Sequence, residues 1–469
     1  MLLCEHRGIA SPAPEERLLD NVVPFRAWRY GPQAGELARL VAPPYDVIGP
    51  DLQSRLYAGS PHNVVRVDLG MTTPSDSDCD NRYTRAAALL AKWRKSGVLV
   101  RDPRPSVTFV EESFTGPDGL AGTRHGFLAA MRLREFDEGI VFPHEQTLAG
   151  PKEDRFRLMT ATAMSLSPVF FLYDLPGDEI TAAWKAALKA EPSAFTIADE
   201  VGNITRLWPT SDPELLNAVA QNLANSRLLV ADGHHRYETA LRYRKAQRAK
   251  TGDSPGSGLA FDYCLAYFSN MSDPALAIYP THRLVTGLRP ETVAGLPWSL
   301  AGVFAVERLA AALAGAGGRS RAATFQAAIS DYLQGHPQRA FAMWGRAFDA
   351  PYGFRLPDPA AAHAAAPRHS LAYQELDVTV LQALVLEDVL GITAADIAAE
   401  RHVTFFKDLG DALARLEAGE FQAGFFMNPT GLDQVRQVAF GGERMPQKTT
   451  FFYPKLPTGI VFLDLTGRL

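Results

Sequence analysis

Residues 232–236, Asp-Gly-His-His-Arg, bring a carboxylate, two imidazoles and a guanidinium together directly after an apolar run. Residues 226–231 are apolar enough for a buried strand, and residues 237–250 have helical spacing with basic residues towards the end. A helix that begins here would present free backbone N–H groups and the positive end of its dipole. Side-chain donors would join them, which predicts a phosphate-binding site formed by Gly233, His234, His235 and Arg236.

Asp232 has two interpretations. It could orient a histidine or hold Mg²⁺ between itself and the phosphates, because carboxylates and phosphate oxygens are the ligands that this ion takes. It could also be only the N-cap of the helix, with the histidines on the surface. Four functional residue types within five positions favour the site.

A second cluster of charged residues lies at residues 142–155 and is interrupted by a Gly-Pro turn. Lys152 and Arg155 could meet an anion, and Glu145 or Asp154 could act as a base or a metal ligand. A charged loop that is simply solvated fits this pattern equally well.

Two further clusters follow in the second half of the chain. His282 and Arg283 come after an apolar run that ends in proline, which predicts a cationic pair at the edge of a strand. Residues 445–459 carry hydroxyl and ammonium donors, among them Lys448 and Lys455, that could line a phosphate pocket or belong to an ordinary edge strand.

The segments that position these residues predict a mixed α/β fold. Strand-like runs occur at residues 106–114, 126–136 and 167–175, and an amphipathic helix is predicted from residue 82 to the glycine at 97. Residues 63–70 alternate as in a strand. The order is not a clean βαβ repeat.

A shift in composition near residue 290 predicts the domain boundary. Before it, residues 20–289 mix strands and helices, and after it, residues 290–469 are rich in alanine and in helical patterns before strands return. We therefore expect one core at residues 20–289 and a helix-rich part at residues 290–469 whose last strands complete the pocket.

Length, charge and cysteine content narrow the class of protein. The chain has 469 residues, 46% hydrophobic and 21% charged, as in an ordinary globular protein of two or three packed units. A net charge of -5 argues against nucleic acid as a partner. The cysteines Cys4, Cys79 and Cys264 are scattered, which indicates a reducing compartment, and no stretch approaches the roughly 18 apolar residues of a membrane span. We predict a cytoplasmic protein, and a homo-oligomer stays open.

Six motifs, spread over almost the entire chain, resemble in the same order those of the bacterial and archaeal family called domain of unknown function 1015. They are APPYDVI, HNVVRVDLG, HEQTLAGPKEDR, ADGHHRYETA, YPTHR and PQKTTFFYPK. The DGHHR element is also similar to that of the ParB, sulfiredoxin and free-serine-kinase superfamily. The resemblance implies a ParB/sulfiredoxin-like phosphate-binding core with a large insertion, since the proline turn and the signature lie far apart in this chain.

The resemblance also implies an activity, since members of the family have been linked to phosphorylation of free L-serine with pyrophosphate as donor. A sulfiredoxin-like reaction is excluded, because His234 stands where that reaction needs a cysteine. ParB-like partitioning is disfavoured by the acidic charge and the missing basic helix-turn-helix region. We therefore expect a small-molecule kinase that uses Mg²⁺, a small hydroxy substrate and a phosphate donor.

Roles for individual residues follow from what phosphoryl transfer needs. Asp46, after the rigid Pro43-Pro44 turn, matches the acidic catalytic residue of the resembling kinases and is the first candidate for the base, with Glu145 in reserve. The catalytic set is predicted to be Asp46, Glu145, Asp232, His234 and His235. The phosphate-binding set adds Lys152, Arg155 and Lys448 to Gly233, His234, His235 and Arg236, and the acceptor-binding set is Arg66, Asp68, His282 and Arg283.

Two other classes of function stay open from the sequence. A phosphate-ester hydrolase would use the same phosphate site with water in place of the acceptor. A non-catalytic nucleotide or metabolite sensor would bind without turnover. Analysis of the product separates the first from a kinase, and tight binding without turnover would indicate the second.

Overall fold

The computed structural model describes residues 21–147, 149–188, 191–253, 258–309 and 320–469, so Cys4 lies outside the described residues. The predicted mixed α/β class is confirmed, because helices and strands alternate irregularly around a large mixed sheet. Within the described ranges no helix is both long enough and apolar enough to cross a membrane.

The large sheet contains both parallel and antiparallel pairs. In spatial order its main path runs Val141–Pro143, Leu228–Asp232, Val169–Tyr173, Tyr263–Asn270, Ala121–Arg132, Val107–Thr115, Ile204–Thr210 and Phe195–Ala198, and Val22–Val23 pairs with Ala121–Arg132.

The predicted strand and helix of the 232–236 segment are present. Leu228–Asp232 is a strand whose first four residues are buried, as its apolar sequence predicts. Gly233 ends it, and the helix His234–Thr251 follows at once, with Tyr237 and Ala240 buried in the core of the large sheet. The C-terminal end of this strand and the start of this helix therefore lie together at one end of the strands of the large sheet.

A second sheet is formed mainly by the later part of the chain. In spatial order its strands are Ala305–Arg308, Tyr352–Arg355, Ala340–Trp344, Ala423–Met427, His282–Val285 and Val403–Phe406. The strand His282–Val285 precedes the expected boundary at residue 290, although the boundary itself stays a prediction.

The helices pack around these two sheets. In the first half they are Pro50–Gly59, Val65–Asp68, Arg82–Lys95, Ala149–Thr162, Glu179–Leu188, Pro213–Leu223 and His234–Thr251. In the second half they are Pro290–Leu300, Arg321–Gly335, Ala360–Ala365, Leu371–Gln374, Asp377–Leu381, Ala394–Ala398, Leu409–Ala418 and Leu432–Phe440, with a π-helical segment at Gln382–Glu387.

The expectation of a strand at residues 63–70 is wrong, because Val65–Asp68 is a short helix. The Asn63 side chain accepts a hydrogen bond from the backbone N–H of Val65 (2.9 Å) and donates to the carbonyl of Val41 (2.9 Å). Such a side chain offers the backbone an alternative to a strand ladder. The spacing of the valines suggested a strand. In the structure these valines lie in or next to the short helix and are buried.

The last part of the chain packs beside the large sheet and forms a separate two-stranded sheet. Phe451–Tyr453 pairs antiparallel with Ala277–Tyr279. Next to it the fully buried Arg124 forms an ion pair with Glu112 (2.7 Å) and donates to the carbonyls of Tyr453 (3.2 Å) and Pro454 (2.8 Å). The C-terminal segment is thus fixed to the large sheet by a buried charge.

Candidate functional site

A cavity of about 500 Å³ is lined by residues that lie far apart in the sequence. They come from the turn at Tyr45–Val47, the 232–236 segment, the second sheet and the returning C-terminal segment. The acidic residues that line it are Asp46, Glu145, Asp232 and Glu400. The basic residues are Arg236, Lys407, Lys448 and Lys455, with His234 and His235 beside them. The structure therefore brings the proline turn and the DGHHR segment to one cavity despite their separation.

Gly233 makes the abrupt change from strand to helix possible. Its φ is +89°, in the left-handed region that favours glycine. A Cβ at this position would lie 2.9 Å from Nε of Arg236 and 3.0 Å from Cζ, so the guanidinium rests against the glycine backbone. Both the backbone angle and the position of Arg236 therefore require glycine.

We expect Gly233→Ala to destabilise the fold by about 2 kcal/mol, because it adds left-handed strain and displaces Arg236. Gly252→Ala is the matched control: Gly252 ends the same helix at φ +71°, and among the residues that the structure describes no atom lies within 4 Å of the added Cβ. Urea denaturation should show a smaller loss for the control, about 1 kcal/mol. Equal losses would contradict the contact with Arg236.

Asp232 lies between two cations. Its Oδ2 accepts from Arg236 (2.5 Å), and its Oδ1 accepts from Lys455. Burial opposes ionisation of Asp232, but the two cations outweigh burial and hold its pKa below the ordinary value. The carboxylate thus orients Arg236 and Lys455, and a role as metal ligand, which stays a prediction, would require Lys455 to move.

His234 is held as a neutral imidazole of one tautomer. Its Nε2 accepts the backbone N–H of His144 (3.2 Å), so the proton of the neutral ring lies on Nδ1. Burial lowers the pKa of His234 to about 3, and the neighbouring His144 acts in the same direction. His234 therefore lines the cavity as a neutral imidazole and not as a positive charge.

The buried neutral His234 should make the fold sensitive to acid. Between its ordinary pKa of 6.5 and about 3, the unfolded chain binds a proton that the folded chain does not, so stability falls as the pH falls through this range. Urea denaturation at pH 7 and pH 5 should show wild type losing about 2 kcal/mol more than His234→Gln, which keeps an acceptor for His144. An unchanged pH dependence in His234→Gln would contradict the shift.

Glu145 is fixed in place by backbone donors. Its Oε1 accepts from the N–H groups of Thr449 (3.0 Å) and Thr450 (3.1 Å). Burial would raise its pKa, but the adjacent His144 and these donors outweigh burial and lower the pKa to about 2. A carboxylate that is this weakly basic and already hydrogen-bonded is a poorer general base than an open one.

Asp46, like Glu400, is an open carboxylate that lines the cavity. It is exposed, and within the described part of the chain it makes no hydrogen bond or ion pair. The adjacent Tyr45 is held from behind, since the guanidinium of Arg155 lies 4.1 Å from the centre of its ring. Arg155 is in turn paired with Asp68 (3.1 Å). Arg155 and Asp68 thus support the turn that presents Asp46.

A second, smaller cavity of about 30 Å³ lies behind the first and is lined by Asp68, Arg155 and Arg236. Arg236 lines both cavities, and Nη1 of Arg236 donates to the carbonyl of Pro168. The structure therefore places the predicted phosphate ligand Arg155 and the predicted acceptor ligand Asp68 one layer away from the large cavity.

His235 and Lys152 lie around the first turn of the helix. His235 lines the cavity, and burial lowers its pKa, with Lys448 acting in the same direction. Lys152 does not line the cavity, because its Nζ donates to Glu238 (2.8 Å) and to Thr147 (3.0 Å).

The remaining predicted acceptor ligands lie outside the cavity. Arg66 donates to the carbonyls of Tyr57 (2.5 Å) and Ser60 (3.1 Å) and lines a separate groove. His282 is buried, with its Nδ1 accepting the N–H of Met427 (3.3 Å). Arg283 is also buried and donates to the carbonyls of Thr281 and Lys448, so it holds the wall of the cavity.

Sequence reasoning missed Lys407 and the pairing of Lys455 with Asp232. Lys407 follows the strand Val403–Phe406 and lines the cavity with its Nζ 3.8 Å from the ring centre of Phe451. A lone lysine after an aromatic strand has no distinguishing pattern. The only available signal was its position at a strand end, which is a common place for binding residues.

Comparison with known proteins agrees with the family resemblance of the six motifs. The family model described as Protein of unknown function (DUF1015) matches residues 22–379. No curated protein matches the chain.

Several solved structures are similar to this chain over most of their length. A conserved hypothetical protein from Pyrococcus furiosus has 15% identity and a TM-score of 0.33, covering 70% of this chain and 92% of that chain. Free serine kinase in complex with AMP has 14% identity and a TM-score of 0.33, covering 70% and 88%. SbnI from Staphylococcus aureus, with a C-terminal truncation, has 10% identity and a TM-score of 0.29, covering 73% and 87%.

Proposed function

We propose that this chain, which belongs to the family described as Protein of unknown function (DUF1015), is a phosphotransferase that acts on the hydroxyl group of a small molecule. Free L-serine is the acceptor that we favour, with pyrophosphate, or else ATP or ADP, as the donor. The observation that carries the proposal is the presence of Asp46 in the same cavity as Arg236 and the start of the helix at His234.

The donor side of this cavity suits a transferring phosphoryl group. Such a group is stabilised mainly by cations and by fixed hydrogen-bond donors, with little need for covalent help. Arg236 and Lys455 together outweigh the single charge of Asp232 and leave a net positive edge. His234 lines the cavity as a neutral imidazole, and Lys448 adds a second ammonium group beside that of Lys455.

The acceptor side needs a base for the hydroxyl proton. Asp46 suits this role, because its carboxylate is open to the cavity while that of Glu145 is occupied by two backbone N–H groups. The proton would pass from the acceptor hydroxyl to a carboxylate oxygen of Asp46 as the new O–P bond forms and the donor's bridging P–O bond breaks, which releases phosphate from pyrophosphate, ADP from ATP or AMP from ADP. A volume of about 500 Å³ is in the range of small-molecule sites.

The residues of the cavity do not form a metal site of their own. Both oxygens of Asp232 are engaged by cations, and across the described ranges no three His, Cys, Asp or Glu side chains are grouped to hold a metal ion. Mg²⁺ commonly binds through substrate phosphates, waters and one or two carboxylates. Mg²⁺ that arrives with the donor stays a prediction, and the proton transfer to Asp46 depends on side chains and substrate alone.

The decisive experiment is a product assay. The purified chain is incubated with Mg²⁺, a panel of small hydroxy compounds including L-serine, and pyrophosphate, ATP or ADP in turn, and the products are identified by mass spectrometry. We expect phosphoserine that depends on both L-serine and the donor.

Two other outcomes would overturn the assignment, and a third would replace only the acceptor. Release of phosphate at a rate independent of any acceptor would indicate a hydrolase. Tight binding of a nucleotide or another metabolite without turnover would indicate a sensor. Phosphorylation of another hydroxy compound in preference to L-serine would keep the class of reaction and replace the acceptor.

A further inference from the structure

Lys407 occupies a distinctive position in the cavity. It enters from the second sheet, directly after the strand Val403–Phe406, whereas the DGHHR segment enters from the large sheet. Its Nζ lies 3.8 Å from the ring centre of Phe451, and the Nζ of Lys455 lies 5.0 Å from the same centre. Lys407 is thus a cation on the wall that the C-terminal half supplies.

The cations of the cavity differ in whether the protein neutralises them. Arg236 and Lys455 share Asp232 as their partner. Within the described residues, Lys407 forms no ion pair with an acidic side chain. Burial lowers its pKa to about 8, Lys455 acts in the same direction, and Asp46 acts in the opposite direction. A partly buried ammonium group without a paired acid is stabilised when a ligand supplies the anion.

The position of Lys407 relates it to the acceptor more than to the donor. Lys407 and Asp46 line the same cavity and, within the described residues, neither forms an ion pair, whereas Asp232 is already engaged by Arg236 and Lys455. Asp46 is the proposed base, so a group held by Lys407 lies near the hydroxyl that reacts. Lys455, by contrast, is bound to Asp232 on the donor side.

The cations that the sequence predicted for the acceptor are engaged elsewhere. The guanidinium of Arg66 is taken by two backbone carbonyls in a separate groove. Arg283 is buried behind the wall and also donates to carbonyls. Neither is placed to meet a carboxylate in the cavity, which leaves this role to a residue that lines it.

We infer that Lys407 binds the carboxylate of the acceptor and so selects short hydroxy acids and hydroxy amino acids whose hydroxyl group lies at Asp46. This inference rests on the proposed function. It makes Lys407 a specificity-determining residue that the resemblance to the family did not indicate.

The test compares Lys407→Met with wild type in steady-state kinetics. Methionine keeps an unbranched apolar stem against Phe451 and removes the charge. We expect the KM for L-serine to rise about tenfold to a hundredfold, as for loss of a charge-assisted hydrogen bond, while the KM for the donor changes less than about twofold. Lys407→Arg should restore most of the affinity for L-serine. Lys245→Met, on the exposed face of the helix, is the matched control and should leave both KM values unchanged.

A second substrate identifies the group that Lys407 binds. Serinamide has the same hydroxyl group and no carboxylate, so wild type and Lys407→Met should use it equally poorly. If the substitution raises the KM for the donor instead, the anion at Lys407 is a donor phosphate and the inference is wrong. An unchanged KM for L-serine would overturn it as well.

Binding measured without a donor separates this inference from the proposed function. Isothermal titration with L-serine should show weaker binding to Lys407→Met than to wild type, whether or not the chain transfers phosphate. Binding that depends on Lys407 in a protein without kinase activity would refute the proposed reaction and support the carboxylate site. Kinase activity with no dependence on Lys407 would do the reverse.

Discussion

Replacing Asp46 with Asn is expected to lower kcat for serine phosphorylation by about a thousandfold, at the scale of a lost general base. Asparagine keeps the size of the side chain and cannot accept the proton. Because the base acts on the acceptor and not on the donor, titration with pyrophosphate should give nearly the wild-type affinity. The measurement is steady-state kinetics with each substrate varied in turn, together with calorimetry.

A neighbouring carboxylate provides the control for this prediction. Asp51 is exposed in the first turn of the helix Pro50–Gly59, outside the residues that line the cavity, so Asp51→Asn should keep wild-type turnover. If Asp46→Asn also keeps wild-type turnover, Asp46 is not the base. Glu145→Gln would then be the next variant to test.

Arg236→Ala is expected to reduce kcat/KM about a hundredfold, which corresponds to about 3 kcal/mol of transition-state stabilisation. The guanidinium lines the cavity at the start of the helix, where charge on the phosphoryl oxygens would develop. Lys455 still neutralises Asp232 in this variant, so the fold should survive the change. Thermal unfolding measured beside the kinetics tests that expectation.

Arg242→Ala is the matched control for Arg236→Ala, since Arg242 lies on the same helix, is about half exposed, pairs with Glu153 and lies outside the residues that line the cavity. It should leave kcat/KM unchanged. A loss in Arg236→Ala below about threefold would remove Arg236 from the reaction and leave it the structural role of holding Asp232 and Pro168.

The local part of the site could be predicted from the sequence. The strand, the turn at Gly233 and the helix depend on residues that are neighbours in the chain, and the left-handed angle at Gly233 is what a glycine at such a turn provides. The misread segment at residues 63–70 shows the limit, because a local hydrogen bond from the backbone to the Asn63 side chain outweighs a two-residue alternation.

The nonlocal part of the site depends on contacts that no short pattern encodes. Lys407 reaches the cavity because its strand pairs with His282–Val285 in the second sheet. Arg283 carries the charge that a binding site would need, but it is buried and donates to a backbone carbonyl in the wall of the cavity. Asp46 was connected to the DGHHR segment only through the resemblance to a family.

The salt bridge between Lys455 and Asp232 bears on how the chain can be divided. The family match ends at residue 379, before Lys407, Lys448 and Lys455, so a fragment cut at that limit would keep the signature segment and lose these lysines. It would also leave the buried Arg124 without the carbonyls of Tyr453 and Pro454. Recombinant fragments that end at residue 379 would therefore lack part of the binding site. Chimeras between relatives should exchange the DGHHR segment and the C-terminal segment together.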